Sequence, residues 1–366
     1  MSNDKSPLTP QPGILDIAPY VPGEAKIAGH ADPAQLAANE NALGPGGAAI
    51  AAFGACAHLL HRYPDGGFRE LTQAIGDVHG LDPARIVCGA GSDEILSLIG
   101  QAYAGPGDEV LYSAHGFLMY PIVAMSVGAT PVSAPEVDLT TNVDNLLAAV
   151  TAATKIVFLA NPNNPTGTML PAREVRRLRQ GLRDDILLVI DAAYAEYVTD
   201  PDYEAGAALV DAGENTVMTR TFSKIHGLAA LRLGWCYAPE AVCQVLSRIR
   251  GPFNVNAPAI AAGAAAVRDV AHVEMSREHN RAERRRLADR LAQHGLTGPT
   301  SHGNFLLIRF QDAKTAEAAL QAMNAAGVIP RRVAGYGLPE CLRITVGTAV
   351  ENDRVVGALA GFMSVD

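Results

Sequence analysis

The stretch Ile186-Leu187-Leu188-Val189-Ile190-Asp191-Ala192-Ala193-Tyr194 runs through five apolar residues and stops on a carboxylate. A continuous apolar run of this length, without alternation, reads as a strand buried on both faces, the pattern of a parallel sheet covered by helices. The segments on either side repeat the theme. Residues 85–88 read as a strand and 93–104 as a helix, 109–112 as a strand and 120–127 as a helix, 155–159 as a strand and 172–181 as a helix. Two further strands follow at 215–219 and 235–237. This alternation predicts an α/β fold, a mostly parallel sheet sandwiched by helices. Ligands in such sheets bind at the carboxyl ends of the strands, and every motif taken up below falls just after one.

The length of 366 residues suits one large α/β domain with a smaller partner. Near residue 250 the composition shifts. Residues 257–290, rich first in alanine and then in arginine, read as one or two long helices. Strands at 305–310, around 328 and at 342–346, with helices at 315–325 and at the end, predict a smaller α+β domain. Pro7, Pro10, Pro12, Pro19, Pro22 and Pro33 make the first stretch an extended arm. The expected division is an arm at 1–35 belonging to the small domain, a large domain at 36–248 and a small C-terminal domain at 249–366.

Hydrophobic residues make up 48% of the chain and charged residues 18%, so a large core can be buried and global disorder is excluded. The net charge of −9 disfavours nucleic acid as a partner. The five arginines between 281 and 290 are interspersed with Glu283 and Asp289 and read as a solvated helix face. No apolar run approaches the roughly 18 residues of a membrane span. Residues 1–13 carry no apolar core of a signal peptide, and a cytoplasmic location is expected. The five cysteines form no CxxC pair and read as reduced thiols. His58 and His61 stand three apart without a third ligand nearby, so no metal is expected.

Four motifs carry chemistry. Gly89-Ala90-Gly91-Ser92-Asp93-Glu94 follows one strand and opens a helix, whose free N–H groups suit a phosphate. A dinucleotide site and an ordinary tight turn are the other readings, and Glu94 stands where a third glycine of GxGxxG would be. Asn161-Pro162-Asn163-Asn164-Pro165-Thr166-Gly167-Thr168 is a rigid turn that can fix an asparagine amide against a ligand oxygen. Asp191 leaves an apolar strand, a costly place for a carboxylate without a partner. A metal, a base role or a protonated ring nitrogen would each suit it, and Tyr194 can point the same way. Thr221-Phe222-Ser223-Lys224, followed by Arg232, offers two phosphate ligands, Ser223 and Arg232, beside a lysine. A lone lysine is ordinarily a surface residue; in a pocket it reacts with aldehydes. Together, groups for a phosphate, a ring N–H, a ring oxygen and an aldehyde describe pyridoxal phosphate.

With these residues in hand, the chain resembles the fold-type I, pyridoxal-phosphate-dependent aminotransferases of class II, and within them the histidinol-phosphate aminotransferase family. Further pieces of the resemblance are Tyr20-Val21-Pro22-Gly23, Asn39-Glu40-Asn41 with Gly44-Pro45, Arg62-Tyr63-Pro64-Asp65 and Leu342-Arg343-Ile344-Thr345-Val346-Gly347, all in order over more than 300 residues. The resemblance implies that Lys224 bonds the cofactor and, once freed by substrate, moves the proton. It implies that Asp191 pairs with the ring nitrogen, that Tyr194 and Asn164 bond the ring oxygen, and that Phe117 stacks on the ring. Gly91, Ser92, Asp93, Ser223 and Arg232 would hold the phosphate. Tyr63 would reach the cofactor phosphate of a neighbouring subunit, making the protein a homodimer. Arg343 would take the substrate anion, and Tyr20, Asn41 and Arg331 would contact the substrate. Adjacent Arg332 is the alternative to Arg331.

Three positions depart from the family pattern. Ala192 replaces a common glutamate, Ala42 replaces a common proline after Asn41, and Phe117 stands where tyrosine is usual. None removes a catalytic group. The implied reaction transfers an amino group between histidinol phosphate and glutamate in histidine biosynthesis. Aromatic amino acids are the alternative substrates, and a decarboxylase of a phosphorylated amino acid on the same scaffold is the alternative reaction. A cofactor-binding regulatory module is the rival outside enzymes; it would be expected to lose Lys224 or Asp191, and both are present.

Overall fold

The computed structural model describes residues 8–19 and 26–364. Its strands are β1 (Ala34–Gln35), β2 (Ile86–Gly89), β3 (Glu109–Ser113), β4 (Thr130–Ala134), β5 (Thr154–Ala160), β6 (Leu187–Asp191), β7 (Thr216–Thr221), β8 (Gly234–Tyr237), β9 (Phe305–Arg309), β10 (Val328–Ile329), β11 (Arg331–Arg332) and β12 (Cys341–Thr345). Seven of them form one sheet in the order β2-β8-β7-β6-β5-β3-β4. Only β8 runs antiparallel to its neighbours β2 and β7; the other pairs are parallel. The apolar run at 186–190 is central in that order, and every residue of β6 is buried. Its side chains feed cores on both faces. Val189 packs with Phe158, Val217 and the helix Ser92–Tyr103, whereas Leu188 and Ile190 pack with Val157, Leu159 and the helix Ala172–Gly181. Period-two alternation with both faces apolar is why the sequence reads as an unbroken hydrophobic run.

Strand β4 was not among the expected elements. It contains Pro131 and lies at the sheet edge, where a missing N–H costs no ladder bond. The helices Val143–Ala148, Ala207–Asp211 and Glu240–Ile249 are likewise additions.

A smaller unit is built on the antiparallel sheet β11-β12-β9, with the helices Ala313–Ala325 and Ala349–Met363 packed over it. Here β1 pairs in parallel with β10, so the segment leaving the arm joins the small unit. The residues 257–290 form two helices, Ala257–Arg268 and Val270–Ala292. The first belongs to the core of the large unit: Ala259, Ala262 and Ala264 are buried with Leu71, Phe222 and Trp235. Its approach is close, since a Cβ added at Gly263 would lie 2.3 Å from Leu233 Cδ2. Packing therefore extends the large unit through Arg268, past the expected division at 248/249. The second helix changes allegiance along its length, and Leu287 and Leu291 at its far end enter the small unit's core.

Candidate active site

The carboxyl ends of β5, β6 and β7, the amino end of the helix Ser92–Tyr103 and the segment 38–40 enclose a cavity of about 250 Å³. Lys224, Asp191, Tyr194, Asn164, Phe117, Ser92, Asp93, Ser223 and Arg232 all line it. These residues come from six separate stretches of chain, and the sheet brings them together.

Asp191 ends β6 and is only 5% exposed. Tyr120 donates its hydroxyl to Oδ2 at 3.0 Å, and Thr219 on β7 donates to Oδ1 at 3.2 Å. Burial nevertheless dominates and pushes the carboxyl up to about 6, with Asp93 adding to the rise against the two hydroxyl bonds. A cation delivered to this carboxylate would reverse that penalty, and a protonated ring nitrogen is such a cation. Tyr120 is itself held by stacking on Phe158 at 4.8 Å between ring centroids, and the edge of Phe117 meets it at 5.9 Å.

Lys224 Nζ donates to the Ala38 carbonyl at 2.9 Å. Burial lowers its proton affinity to about 8, helped by the Arg343 and Arg232 guanidiniums and opposed by Asp93 and Glu40. An amine in that range can exchange its proton near physiological pH, which an ordinary lysine cannot. Tyr194 accepts a hydrogen bond from Asn39 Nδ2 at 2.9 Å, and burial raises its hydroxyl to about 12. Arg343 on β12 is buried, donates Nη2 to the Ala37 carbonyl at 2.6 Å and Nη1 to Asn164 Oδ1, and leaves its Nε unpartnered. Segment 37–40 thus ties three groups of the site together. Asn304 Nδ2 holds the carbonyls of Asn39 and Glu40, each at 3.0 Å.

The other end of the cavity is an anion cradle. Gly91 has φ 87° and starts the helix Ser92–Tyr103, whose first N–H groups face the cavity end. Arg232 Nη1 donates to Ser223 Oγ at 3.2 Å and Nη2 reaches Asp93 Oδ2 at 3.3 Å. A Cβ at Gly91 would lie 2.6 Å from Arg232 Nη2, and one at Gly234 would lie 2.2 Å from the Ser92 nitrogen. Both glycines are required for this close approach. A buried carboxylate wanting a cation, an amine of lowered proton affinity and an anion cradle fit the parts of pyridoxal phosphate. Among the described residues no group of histidine, cysteine and acidic side chains could hold a metal.

Three expected residues, Asn41, Tyr63 and Arg331, and the alternative Arg332 do not line this cavity. Asn41 does not line the cavity; its Nδ2 donates to the Ile225 carbonyl at 2.7 Å and to Ser276 Oγ at 3.0 Å, and its Oδ1 accepts from the Leu43 nitrogen. It is a brace between the loop and the helix Val270–Ala292. Tyr63 is 82% exposed and stacks on Phe253 at 4.5 Å, away from the cavity of its own chain. Arg331 lies directly opposite Arg343 in the β11–β12 ladder, so the two side chains leave the same face. Arg331 lines a second cavity of about 580 Å³, beside Pro19 of the arm and Tyr336. Arg332 lines that cavity too, but it leaves the opposite face of the ladder and forks onto Glu317, both bonds at 2.9 Å. Arg331, not Arg332, therefore shares the face of Arg343. Tyr20 lies outside the described residues.

The sequence reading missed Tyr120, Thr219 and the role of Asn39. Asn39 sat in a quoted motif, but nothing local marked its bond to Tyr194, 155 residues away.

A family model described as aminotransferase class I and II matches residues 31–359. The histidinol-phosphate aminotransferase of Paramagnetospirillum magneticum is 60% identical, covering 97% of this chain and 98% of its own. The one from Rhodospirillum rubrum is 56% identical, covering 97% of each. A crystal structure of histidinol-phosphate aminotransferase from Sinorhizobium meliloti in complex with pyridoxal-5'-phosphate superposes with a TM-score of 0.88 at 30% identity, over 96% of each chain. Aspartate aminotransferase from Thermus thermophilus with maleate shares the fold, with a TM-score of 0.80 at 20% identity over 90% of this chain and 92% of its own.

The Asp191 environment generates a pH-dependence in the cofactor-free protein. A carboxyl near 6 in the fold and 3.8 outside it binds its proton more tightly when folded. The folded state gains from that group below about pH 4 and loses the gain as pH rises through about 6, a difference of roughly 3 kcal/mol at most. Asp191→Asn should therefore match the parent in urea unfolding at about pH 4 and exceed it at about pH 8. Equal stability differences at the two values would show that burial does not perturb this carboxyl.

Proposed function

The chain belongs to the class I and II aminotransferase family, with the fold-type I architecture and pyridoxal 5'-phosphate as its cofactor, and from that premise we propose that it moves an amino group between histidinol phosphate and 2-oxoglutarate in histidine biosynthesis. The reaction class is carried by one observation: Lys224, with proton affinity lowered to about 8, lies in one cavity with Asp191 and the anion cradle. The substrate rests on the relatives at 56–60% identity over nearly the full length. No comparable support exists for aromatic amino acids, which become the control substrates.

Bound pyridoxal phosphate supplies an aldehyde for amines and a ring that accepts the electron pair released at the substrate Cα. Asp191 keeps a proton on the ring nitrogen, so that the ring remains a strong acceptor. Tyr194 and Asn164 orient the ring oxygen. Lys224 Nζ, neutral once free, carries the proton between the substrate Cα and the cofactor C4′. Phe117 covers the ring face and excludes water. The cradle of Ser92, Asp93, Ser223 and Arg232 anchors the phosphate, and this fixed end resists rotation of the ring during the transfer.

Arg343 takes the anionic end of each substrate in turn, the phosphate of histidinol phosphate and a carboxylate of glutamate. A guanidinium fork accommodates both. The Ala37 carbonyl and the Asn164 amide oxygen occupy its Nη groups, so an arriving anion would have to displace one of them, and its buried Nε has no partner. Arg331, leaving the same sheet face, meets the second carboxylate of glutamate.

The protein acts as a homodimer in which Tyr63 crosses to the neighbouring subunit's cofactor phosphate. Support comes from its exposure, from the exposed Phe253 on which it stacks, and from the exposed Ile50, Phe53, Leu59 and Leu60 that precede it in the chain, apolar side chains that a partner surface would cover. A cytoplasmic location agrees with five free cysteines among the described residues and with no helix there long and apolar enough to cross a membrane.

The direct test supplies histidinol phosphate or phenylalanine with 2-oxoglutarate and follows glutamate formation. Histidinol phosphate should react with the higher kcat/KM, and Lys224→Ala should abolish turnover with both. A preference for phenylalanine would overturn the substrate, and carbon dioxide released from a phosphorylated amino acid, with no glutamate formed from histidinol phosphate or phenylalanine, would overturn the reaction. Arg331→Ala should cost glutamate about tenfold to a hundredfold more kcat/KM than histidinol phosphate, the worth of one charge-assisted bond. Arg343→Ala should damage both; equal losses in Arg331→Ala would remove Arg331 from substrate recognition. Tyr63→Ala should weaken cofactor retention on dilution, read as faster loss of visible absorbance. A monomeric protein of full activity would refute the shared site.

A further inference from the structure

Strands β6 and β7 end side by side, and two polar contacts bind their ends, one on each face. On the cleft face Thr219 donates to Asp191. Arg220, the next residue, points to the opposite face. There its Nε and Nη2 donate to one oxygen of Glu196, Oε1, at 3.1 and 2.7 Å. Both side chains are buried, Arg220 at 8% exposure and Glu196 at 7%. Glu196 follows Tyr194 by two residues, and Arg220 precedes Lys224 by four.

Aromatic and polar side chains flank the pair, and a separate cavity of about 370 Å³ opens beside it. The Arg220 guanidinium lies 5.6 Å from the ring centroid of Trp235, its partner residue on β8. His79 stacks on Trp235 at 5.6 Å. Arg277 Nε donates to the Glu196 backbone carbonyl at 2.6 Å and pins the turn Ala195–Tyr197. His226, 3% exposed, brings Nε2 to 4.0 Å from Glu196 Oε1. Burial pushes both His79 and His226 down to about 4, so neither carries charge at neutral pH. Burial would raise the Glu196 carboxyl, yet the Arg220 guanidinium keeps it below its usual range, and the pair is ionised.

As a source of stability this is a poor arrangement. Removing two charges from water costs several kcal/mol per ion, and apolar residues of the same volume generally pack there as well or better. What apolar residues cannot supply is direction. Two N–H groups on one oxygen fix both the separation and the angle between the turn that carries Tyr194 and the strand end that leads to Lys224. We propose that the buried Glu196–Arg220 pair is a positioning device that sets Lys224 against Tyr194 and the cofactor ring. Neither residue lines the catalytic cavity, so both act through the backbone they tie. The inference rests on the aminotransferase chemistry and not on the identity of the amino-group acceptor.

The test compares the holoenzyme with Arg220→Lys and with the double variant Glu196→Leu/Arg220→Met, which removes both charges at similar volume. Melting temperature reports folding. The pH midpoint of the bound cofactor's visible absorbance reports the setting of Lys224 without any substrate. We expect a folded double variant whose kcat falls about tenfold to a hundredfold with KM within about twofold, the signature of misplaced groups. The absorbance midpoint should move by about half a pH unit or more. Arg220→Lys, which keeps the charge but loses the fork, should lie between it and the parent. A folded double variant with parental kcat and midpoint would reduce the pair to packing. If the double variant does not fold, Arg220→Lys decides: parental kcat and midpoint overturn the proposal, and a shift in both upholds it. Failure of histidinol phosphate as a substrate would leave the absorbance result unaffected.

Discussion

The structure depends on a carboxylate held where a carboxylate is least at ease. Asp191 closes the central strand of the sheet, buried along its whole length with apolar side chains on both faces, and two hydroxyls do not offset the cost of its charge. On the proposed reading the cofactor's ring nitrogen would complete the arrangement. A protonated nitrogen would give the carboxylate its missing counter-charge, and the carboxylate would keep the nitrogen protonated where it would otherwise lose its proton. The same burial that makes Asp191 costly would make this pairing strong, because the local dielectric is low around it. Phe117, Tyr194, Asn164 and the cradle at Ser92 and Arg232 line the same cavity and would hold the ring face, the ring oxygen and the phosphate.

The small unit takes part through a short piece of backbone. Segment 37–40 accepts hydrogen bonds from Arg343 and Lys224, presents Asn39 to Tyr194 and is held by Asn304. Arg343 belongs to the small sheet, and Lys224 and Tyr194 to the large one. A substrate anion that draws Arg343 from the Ala37 carbonyl thus acts on the strap that also touches the catalytic lysine. The substrate recognition and proton transfer proposed above would then share a mechanical element.

Much of this was legible in the chain because it is local. The run from Ile186 to Asp191 declares a doubly buried strand, and Gly91-Ser92 after a strand declares a helix amino terminus open to an anion. Lys224, Asp191 and Arg343 came with recognisable neighbours. What the chain did not disclose is contact between distant segments. Tyr120 meets Asp191 across 71 residues, and no spacing rule connects them. Asn41 shows the converse: its motif suggested substrate, yet its amide is spent on Ile225 and Ser276, partners that only the tertiary fold supplies. The alanine-rich helix Ala257–Arg268 read as the opening of the small domain because composition changes there. Its small residues serve instead to bring it close against Leu71 and Phe222 of the large core. Between Arg331 and Arg332 the choice needed the strand register, which places one beside Arg343 and the other on Glu317.

The central claim is that Asp191 and the ring nitrogen share a proton inside this core. Pyridoxal phosphate labelled with nitrogen-15 in its ring reports that proton directly, because the nitrogen resonance of a pyridinium lies far from that of a neutral pyridine. With the labelled cofactor bound, the resonance should stay at the protonated position from about pH 6 to about pH 9 in the parent protein and move toward the neutral position in Asp191→Ala. A neutral ring nitrogen in the parent at about pH 8, or a resonance that Asp191→Ala leaves unmoved, would contradict the account.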